Sequence, residues 1–300
     1  MAGVPTFATA PGFLGLPFTT APAALSIAGI PLDIGTTNRA GARSGPAAIR
    51  AASRMLVDGA HPVSGVDPAT LSLADLGEFS IALGDIQESL ALIERQAAAI
   101  PHLLALGGEH GVTLPLLRAL AKRVGGPLGL LHVDAHCDTW PESFGQVYGH
   151  GSVFFHAINE GLVDPRRMVQ LGIRSPVQAE VAAWAPARGA TVISAQDVHA
   201  DGIGAAIARA RDVLGAGPSY LSFDIDALDP AFAPGTGTPE IGGLASWQAQ
   251  ALMRGMAGLD WRGMDVVEVA PAYDVSEITA LAGATLAWEY ICMVSEARGK

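Results

Sequence analysis

The sequence predicts a three-layer α/β fold, a parallel sheet covered by helices on both faces. Short, β-rich apolar runs alternate with longer helical patterns from end to end. Those runs are nearly continuously apolar, as strands buried on both faces must be. Half of the 300 residues are apolar, so the chain can fill a sizeable core.

The first 32 residues carry no charged side chain and are broken by Pro5, Pro11, Pro17, Pro22 and Pro31. They read as a Pro-rich arm over about 1–24, unable to form a spanning helix. They also lack the basic start of a signal peptide, so a cytoplasmic protein is expected. Strands are expected at Leu25 to Gly29, Leu103 to Leu106, Leu128 to Asp134, Met168 to Gly172, Thr191 to Ser194, Tyr220 to Asp226 and Met264 to Val269. Helices fall between them. Asp85 with Glu88 makes a capping-box start for one that must stop before Pro101. Ser276 to Glu296 closes the chain as a long apolar helix. No internal repeat or low-complexity linker follows the arm, so one domain over 1–300 is expected.

A net charge of −11 argues against nucleic acid or an anionic membrane as the main partner. Only Cys137 and Cys292 are present, which gives no disulfide framework. Three short motifs stand out against a composition only 16% charged. They are GGEHGVT with His110, HVDAHCDT with Asp134, His136 and Asp138, and LSFDIDALDP with Asp224, Asp226 and Asp229. Each closes an apolar run, and ligands of such sheets bind beyond the carboxyl ends of the strands. The topology therefore gathers the motifs at one rim.

Buried carboxylates without partners are costly, and a pair of divalent ions is the natural partner for clustered Asp and His. Alternation along an extended chain puts Asp134, His136 and Asp138 on one face, and Asp224 with Asp226 on one face of theirs. With His110 this makes four carboxylates and two imidazoles. Such oxygen-rich ligation suits Mn²⁺, and the imidazoles also admit Ni²⁺, Co²⁺ or Zn²⁺. Cys137 then points away with Ala135, as a packed thiol. His132 reads as a buried, hydrogen-bonded histidine one step deeper. Asp229 either orients a ligand or stabilises a turn.

By these motifs the chain resembles the ureohydrolases, the arginase and agmatinase family, over nearly its whole length. The similar segments are Gly35 to Arg50, GGEH, DAHCD, the pair His150 and Gly151, Ser222 to Leu244, and Met264 to Asp274. The last of these, with SEITALAGATLA, is most similar to bacterial agmatinases. The resemblance implies an arginase-like sheet of about eight strands, two Mn²⁺ ions, and a homo-oligomer, trimeric or hexameric. It places the metal ligands at His110, Asp134, His136, Asp138, Asp224 and Asp226. It also implies that Glu268 grips a guanidinium and that His150 shuttles a proton. The residues agree: Glu268 ends an apolar strand, where a planar guanidinium is a natural bidentate partner. A salt bridge to an Arg of the chain is the alternative there, and an ordinary loop histidine is the alternative for His150. The implied reaction is hydrolysis of a guanidine to urea and an amine by metal-activated water, with Asp138 or His150 protonating the amine. Two features depart from the family pattern: Glu109 where GGDH is usual, and Cys137 with Trp140 in DAHCDTW. They bear on metal preference and substrate.

The substrate tail should meet the loop Thr139 to Gly149. It lacks the Asn- and Ser-bearing segment of arginases, which disfavours arginine. It contains no Lys or Arg for a carboxylate tail, unless Arg39 or Arg43 reaches. Glu142 is its only acid and suits an ammonium tail. Trp140, Phe144 and Tyr148 either line a channel or pack the loop down. Agmatine, yielding putrescine, fits best. The alternatives are guanidine itself, an alkylated or biguanide-type guanidine, or a guanidino acid, with Ni²⁺ in place of Mn²⁺. Readings from other classes are an inactive partner subunit, a single-zinc deacetylase and a cysteine hydrolase using Cys137. The first would lack ligands, the second would lack a paired-metal set, and alternation weakens the third.

Overall fold

A computed structural model describes residues 5–57 and 59–298; the start of the expected arm, 1–4, lies outside them. Its strands are β1 Leu25–Ile30, β2 Leu73–Glu78, β3 Leu103–Gly107, β4 Leu128–Val133, β5 Val163–Ile173, β6 Thr191–Ser194, β7 Ser219–Asp224 and β8 Trp261–Val267. They form one eight-stranded sheet in the order β2-β1-β3-β8-β7-β4-β5-β6. Every neighbouring pair is parallel, so each connection crosses a face and covers it.

The helices are α1 Gly45–Ser53, α2 Ile86–Ala98, α3 Thr113–Val124, α4 Val153–Asn159, α5 Ala179–Trp184, α6 Ala195–Asp201, α7 Ile203–Leu214, α8 Ser246–Gly255 and α9 Ile278–Arg298. Asp85 caps α2, accepting from the Glu88 N–H at 3.0 Å, and α2 ends before Pro101 as expected. Two apolar cores flank the sheet. Leu131, Val133, Leu221, Phe223, Met264 and Val266 face the one built with α1 and α6 to α9. Leu128, Leu130, Tyr220 and Val267 face the one built with α2, α3 and α4. Helix α9 is long and apolar enough to cross a membrane, but 78% of its most apolar stretch is buried within the fold.

Strand β2 is the one missing from the sequence expectation. Its LADLGE stretch carries Asp75, Gly77 and Glu78 and does not read as an apolar run. Asp75 is fully buried, and Arg50 of α1 neutralises it at 2.8 and 3.0 Å. An ion pair hid the strand. Three strand ends are also corrected. Strand β4 stops at Val133, β7 at Asp224 and β8 at Val267. Asp134, Asp226 and Glu268 therefore lie just past strands instead of on them.

Candidate metal centre and substrate pocket

The carboxyl ends of β3, β4, β7 and β8 are adjacent in the sheet, and each delivers part of one site. After β3 the backbone of Gly108 passes so close to Leu32 that a Cβ there would sit 1.9 Å from the Leu32 carbonyl oxygen. Only glycine fits. The approach fixes two partners: the Glu109 N–H donates to Leu32 O at 2.7 Å, and the Glu268 N–H to Gly108 O at 2.8 Å. His110 follows at the start of a short turn leading into α3.

Beyond β4 the chain leaves the extended conformation. The Asp134 carboxylate accepts from the His136 N–H at 2.6 Å, and Asp138 has a positive φ of 49°. A turn of this kind, not strand alternation, points Asp134, His136 and Asp138 inward. Likewise Asp226 lies in the 3-10 turn Ile225–Ala227, whose N-cap is Asp224. The alternation argument named residues that the structure does bring together, but turns rather than strand faces do so.

Two donor groups result, and they share one side chain. His110 Nδ1 lies 3.1 Å from Asp134 Oδ2, 3.0 Å from Asp138 Oδ2 and 3.2 Å from Asp224 Oδ2. His136 Nδ1 lies 3.3 Å from Asp134 Oδ1 and 3.1 Å from Asp226 Oδ2. Asp134 thus faces both imidazoles, one oxygen to each. His110 Nδ1 is fully buried and hydrogen-bonds to nothing, although three carboxylate oxygens surround it. Burial would lower the His110 pKa, but those carboxylates hold it well above its ordinary value. Burial and the neighbouring carboxylates push Asp224 and Asp226 upward. Crowded carboxylates converging on an orphaned imidazole nitrogen are a cation's donor set. This buried His/Asp cluster is suited to a binuclear metal site.

His132 proves closer to the cluster than a mere core histidine. Gln170 Nε2 donates to its Nδ1 at 3.1 Å, so its Nε2–H faces Asp134 Oδ2 at 2.7 Å. Cys137 is buried and belongs to neither donor group. Burial pushes its thiol pKa up, the opposite of an activated nucleophile. Asp229 makes the turn reading good: it accepts from the N–H groups of Ala231 (2.9 Å), Gly242 (2.7 Å) and Gly243 (3.2 Å).

Glu268 follows β8 with φ 63° and is 1% exposed. Its Oε1 accepts from the His110 N–H at 2.8 Å and faces His150 Nδ1 at 2.9 Å, while its Oε2 has no partner. No Arg of the chain pairs with it among the described residues. Thr37 holds the far side of His150, its N–H and Oγ1 lying 3.1 and 2.9 Å from Nε2. Burial lowers the His150 pKa, but Glu268 outweighs it and lifts the ring to about 9. The Thr37 N–H pulls the other way, since it can only donate and so favours a bare Nε2. That donor places the ring proton on Nδ1, toward Glu268. Glu109 is fully buried beside them, with Oε2 accepting from the Gly35 N–H at 2.6 Å and Oε1 unpartnered. Burial first and then Glu268 raise its pKa to about 8.

Above this floor opens a cavity of about 560 Å³, lined in part by His136, Asp138, His150, Trp140, Glu142 and Phe144. Trp140 Nε1 donates to Gln178 Oε1 at 3.1 Å. Glu142 is partly committed, because its Oε2 accepts from the Gly145 N–H at 2.6 Å. Phe144 and Gly145, at φ 52° and 83°, form the tip of a tight hairpin closed by two 2.9 Å hydrogen bonds between Ser143 and Gln146. Phe144 is 93% exposed. Tyr148 packs the loop down, its ring 4.8 Å from His156. Arg43 pairs with Asp33, and Arg39 lies over the Tyr273 ring at 5.0 Å; neither lines the cavity. The sequence reading passed over Thr37, Ser222, Gln170, Asp265 and Thr238. Only Ser222 carried a signal, two residues before Asp224 on the same strand.

An eight-stranded parallel sheet with this paired cluster beside the unpartnered Oε2 of Glu268 defines a metal-dependent hydrolase, and the chain belongs to the arginase family. It is one of that family's ureohydrolases, acting on guanidino compounds. The Arginase family model matches residues 23–293. The chain is 49% identical over 308 residues to a guanidinopropionase from Pseudomonas aeruginosa, covering 100% of this chain and 96% of that one. It is 46% identical over 299 residues to an agmatinase from Enterobacter sp., covering 96% and 94%. Among solved structures it matches proclavaminate amidino hydrolase from Streptomyces clavuligerus with a TM-score of 0.93 at 36% identity, covering 98% and 100%.

Proposed function

We propose that this ureohydrolase acts on agmatine, releasing urea and putrescine, with two Mn²⁺ ions held between His110, Asp134, His136, Asp138, Asp224 and Asp226. One observation carries the substrate reading: among the described residues the cavity over the cluster is lined by the acids Asp138, Glu142 and Asp224 and the rings of Trp140 and Phe144, and by no Lys or Arg. A cationic tail is welcome there and a carboxylate is not. The oxygen-rich donor set supports Mn²⁺ over Ni²⁺. Ions bound there supply Lewis acidity and an activated water.

The chain's own residues do the rest. Glu268, its Oε1 already fixed, offers Oε2 to the guanidinium and orients its plane. His150, steadied between Glu268 and Thr37, lines the cavity and is one proton donor to the departing amine, its Nδ1 proton passing by way of the Glu268 carboxylate it faces. Asp138 lines the same cavity from the cluster side and is the second proton donor. Trp140 and Phe144 flank the tail, and Glu142 meets its ammonium through the oxygen that Gly145 leaves free. The 49% identical guanidinopropionase favours a second reading, a guanidino acid. A homo-oligomer, trimer or hexamer, is part of the proposal. It is supported by exposed Phe232 and Ile278, which line an apolar cavity of about 360 Å³ at α8 and α9.

Urea release from agmatine, guanidinopropionate, guanidinobutyrate, arginine and guanidine, with metal content measured on the same sample, is the test. Agmatine should give the highest kcat/KM with about two ions per chain. A higher value for guanidinopropionate would establish the second reading, and turnover by verified metal-free protein would end both.

A further inference from the structure

One fully buried carboxylate has no part in the chemistry above. Asp265 lies in the middle of β8, on the face shared by Tyr220 and Val267. It receives three hydroxyl groups: Ser222 Oγ donates to Oδ1 at 2.7 Å, and Thr113 Oγ1 (2.7 Å) and Tyr220 OH (2.8 Å) donate to Oδ2. The sheet brings it there, because Ser222 of β7 is in register with both Asp265 of β8 and His132 of β4. Ser222 Oγ also lies 2.8 Å from His110 Nε2.

The direction of this chain of contacts is determined by counting protons. A carboxylate only accepts, and a serine hydroxyl has one proton to give. Ser222 gives it to Asp265, so toward His110 it can only accept. His110 must therefore carry its proton on Nε2, which leaves Nδ1 as the atom aimed at Asp134, Asp138 and Asp224. His136 is not held in this way. Its Nε2 lies 4.0 Å from Glu240 Oε1, beyond hydrogen-bond reach. The two imidazoles differ in anchoring although both face Asp134.

We propose that Asp265, acting through Ser222, is a positioning residue that fixes the tautomer and orientation of His110 and so strengthens binding of one metal ion, the one on the His110 side. The inference rests on the two-ion reading of the site. A hydrogen-bonded carboxylate behind a ligating imidazole raises its basicity and removes its freedom to turn, and such outer partners change metal affinity by about ten- to hundredfold. Thr113 and Tyr220 bind the other carboxylate oxygen. They hold Asp265 in place but are not on the path to His110.

Direct titration of Mn²⁺ into metal-free protein, in competition with a chromophoric chelator, tests this without reference to turnover. Wild-type protein should bind two ions. Ser222→Ala should weaken one of them by about tenfold or more and leave the other within about threefold. Thr113→Val and Tyr220→Phe should leave both within about threefold. Asp265→Asn should reproduce the Ser222→Ala loss, and the double variant should lose no more than either alone. Should Asp265→Asn fail to fold, Ser222→Ala with the two hydroxyl controls decides the matter. Unchanged affinities in Ser222→Ala overturn the relay and leave the two-ion reading standing. Equal losses in all three hydroxyl variants also overturn it, as core packing alone would explain them. Wild-type protein that binds no Mn²⁺ overturns the two-ion reading itself.

Discussion

Glu268 adopts a left-handed backbone with φ 63°, which for a residue with a Cβ costs about 1 kcal/mol. Strain of this kind persists where it serves a site; here it turns a carboxylate off the end of β8 and leaves Oε2 unpaired. Glu268→Gln should therefore lower kcat/KM for every guanidine by about a hundredfold or more, since a charge-assisted contact through Oε2 worth about 3 kcal/mol is lost. An effect confined to one substrate in the urea assay would remove Glu268 from the guanidinium role. Cys137→Ala should keep kcat within about threefold, because the thiol is buried outside both donor groups; a total loss with metal content intact would revive the cysteine mechanism. Glu142→Gln should raise KM for agmatine by tenfold or less, roughly what an exposed ion pair is worth. At this scale the sequence was legible wherever a residue is expensive to bury. Six Asp and His stood out against an apolar chain. Ser222, Thr37 and Thr113 did not, because a hydroxyl satisfies itself almost anywhere and its presence in a strand demands no explanation.

The turns after the strands, more than the strands themselves, aim the site. Alternation along an extended β4 would carry Asp138 straight on, whereas the chain folds back at φ 49°. Period-two reasoning still named side chains that converge, since the turns gather residues two apart as a strand face would. It gave no warning that Asp226 sits in a 3-10 turn. Strand β2 escaped for the converse reason: the polarity of Asp75 is answered by Arg50, 25 residues away in sequence and invisible to local pattern. The GGEH segment gives the sharpest element-scale test. A Cβ at Gly108 would lie 1.9 Å from Leu32 O, and the three nearest atoms all belong to the Leu32 backbone. Gly108→Ala should displace His110 and Glu268 together, lowering thermal stability by several degrees and metal occupancy well below two. Normal occupancy and melting in that variant would mean the loop yields without disturbing the site.

At the scale of the whole molecule the α/β class and the rim location followed from the order of apolar runs, because parallel crossovers leave little choice of where ligands go. What pattern could not reveal is the far end of the sheet. His102 is buried there against Tyr290, its Nε2 2.7 Å from the phenol oxygen. Burial, then Arg298, Arg262 and Arg123, lower its pKa to about 4. Unfolded, it titrates near 6.5, so below that pH the unfolded chain binds the extra proton and stability falls until about pH 4. Between pH 7 and 5 the wild-type protein should lose about 2 kcal/mol that His102→Gln does not lose, as read from urea unfolding at both pH values. Equal losses would show that His102 is not the titrating group. The hairpin tipped by Phe144 carries a different consequence. It is closed by its own hydrogen bonds and by Glu142 within the same loop, and it supplies no donor to either imidazole-centred group. A segment built that way can be exchanged or can drift while the cluster beneath it stays intact; under the proposed function, substrate preference is then a replaceable part of this scaffold.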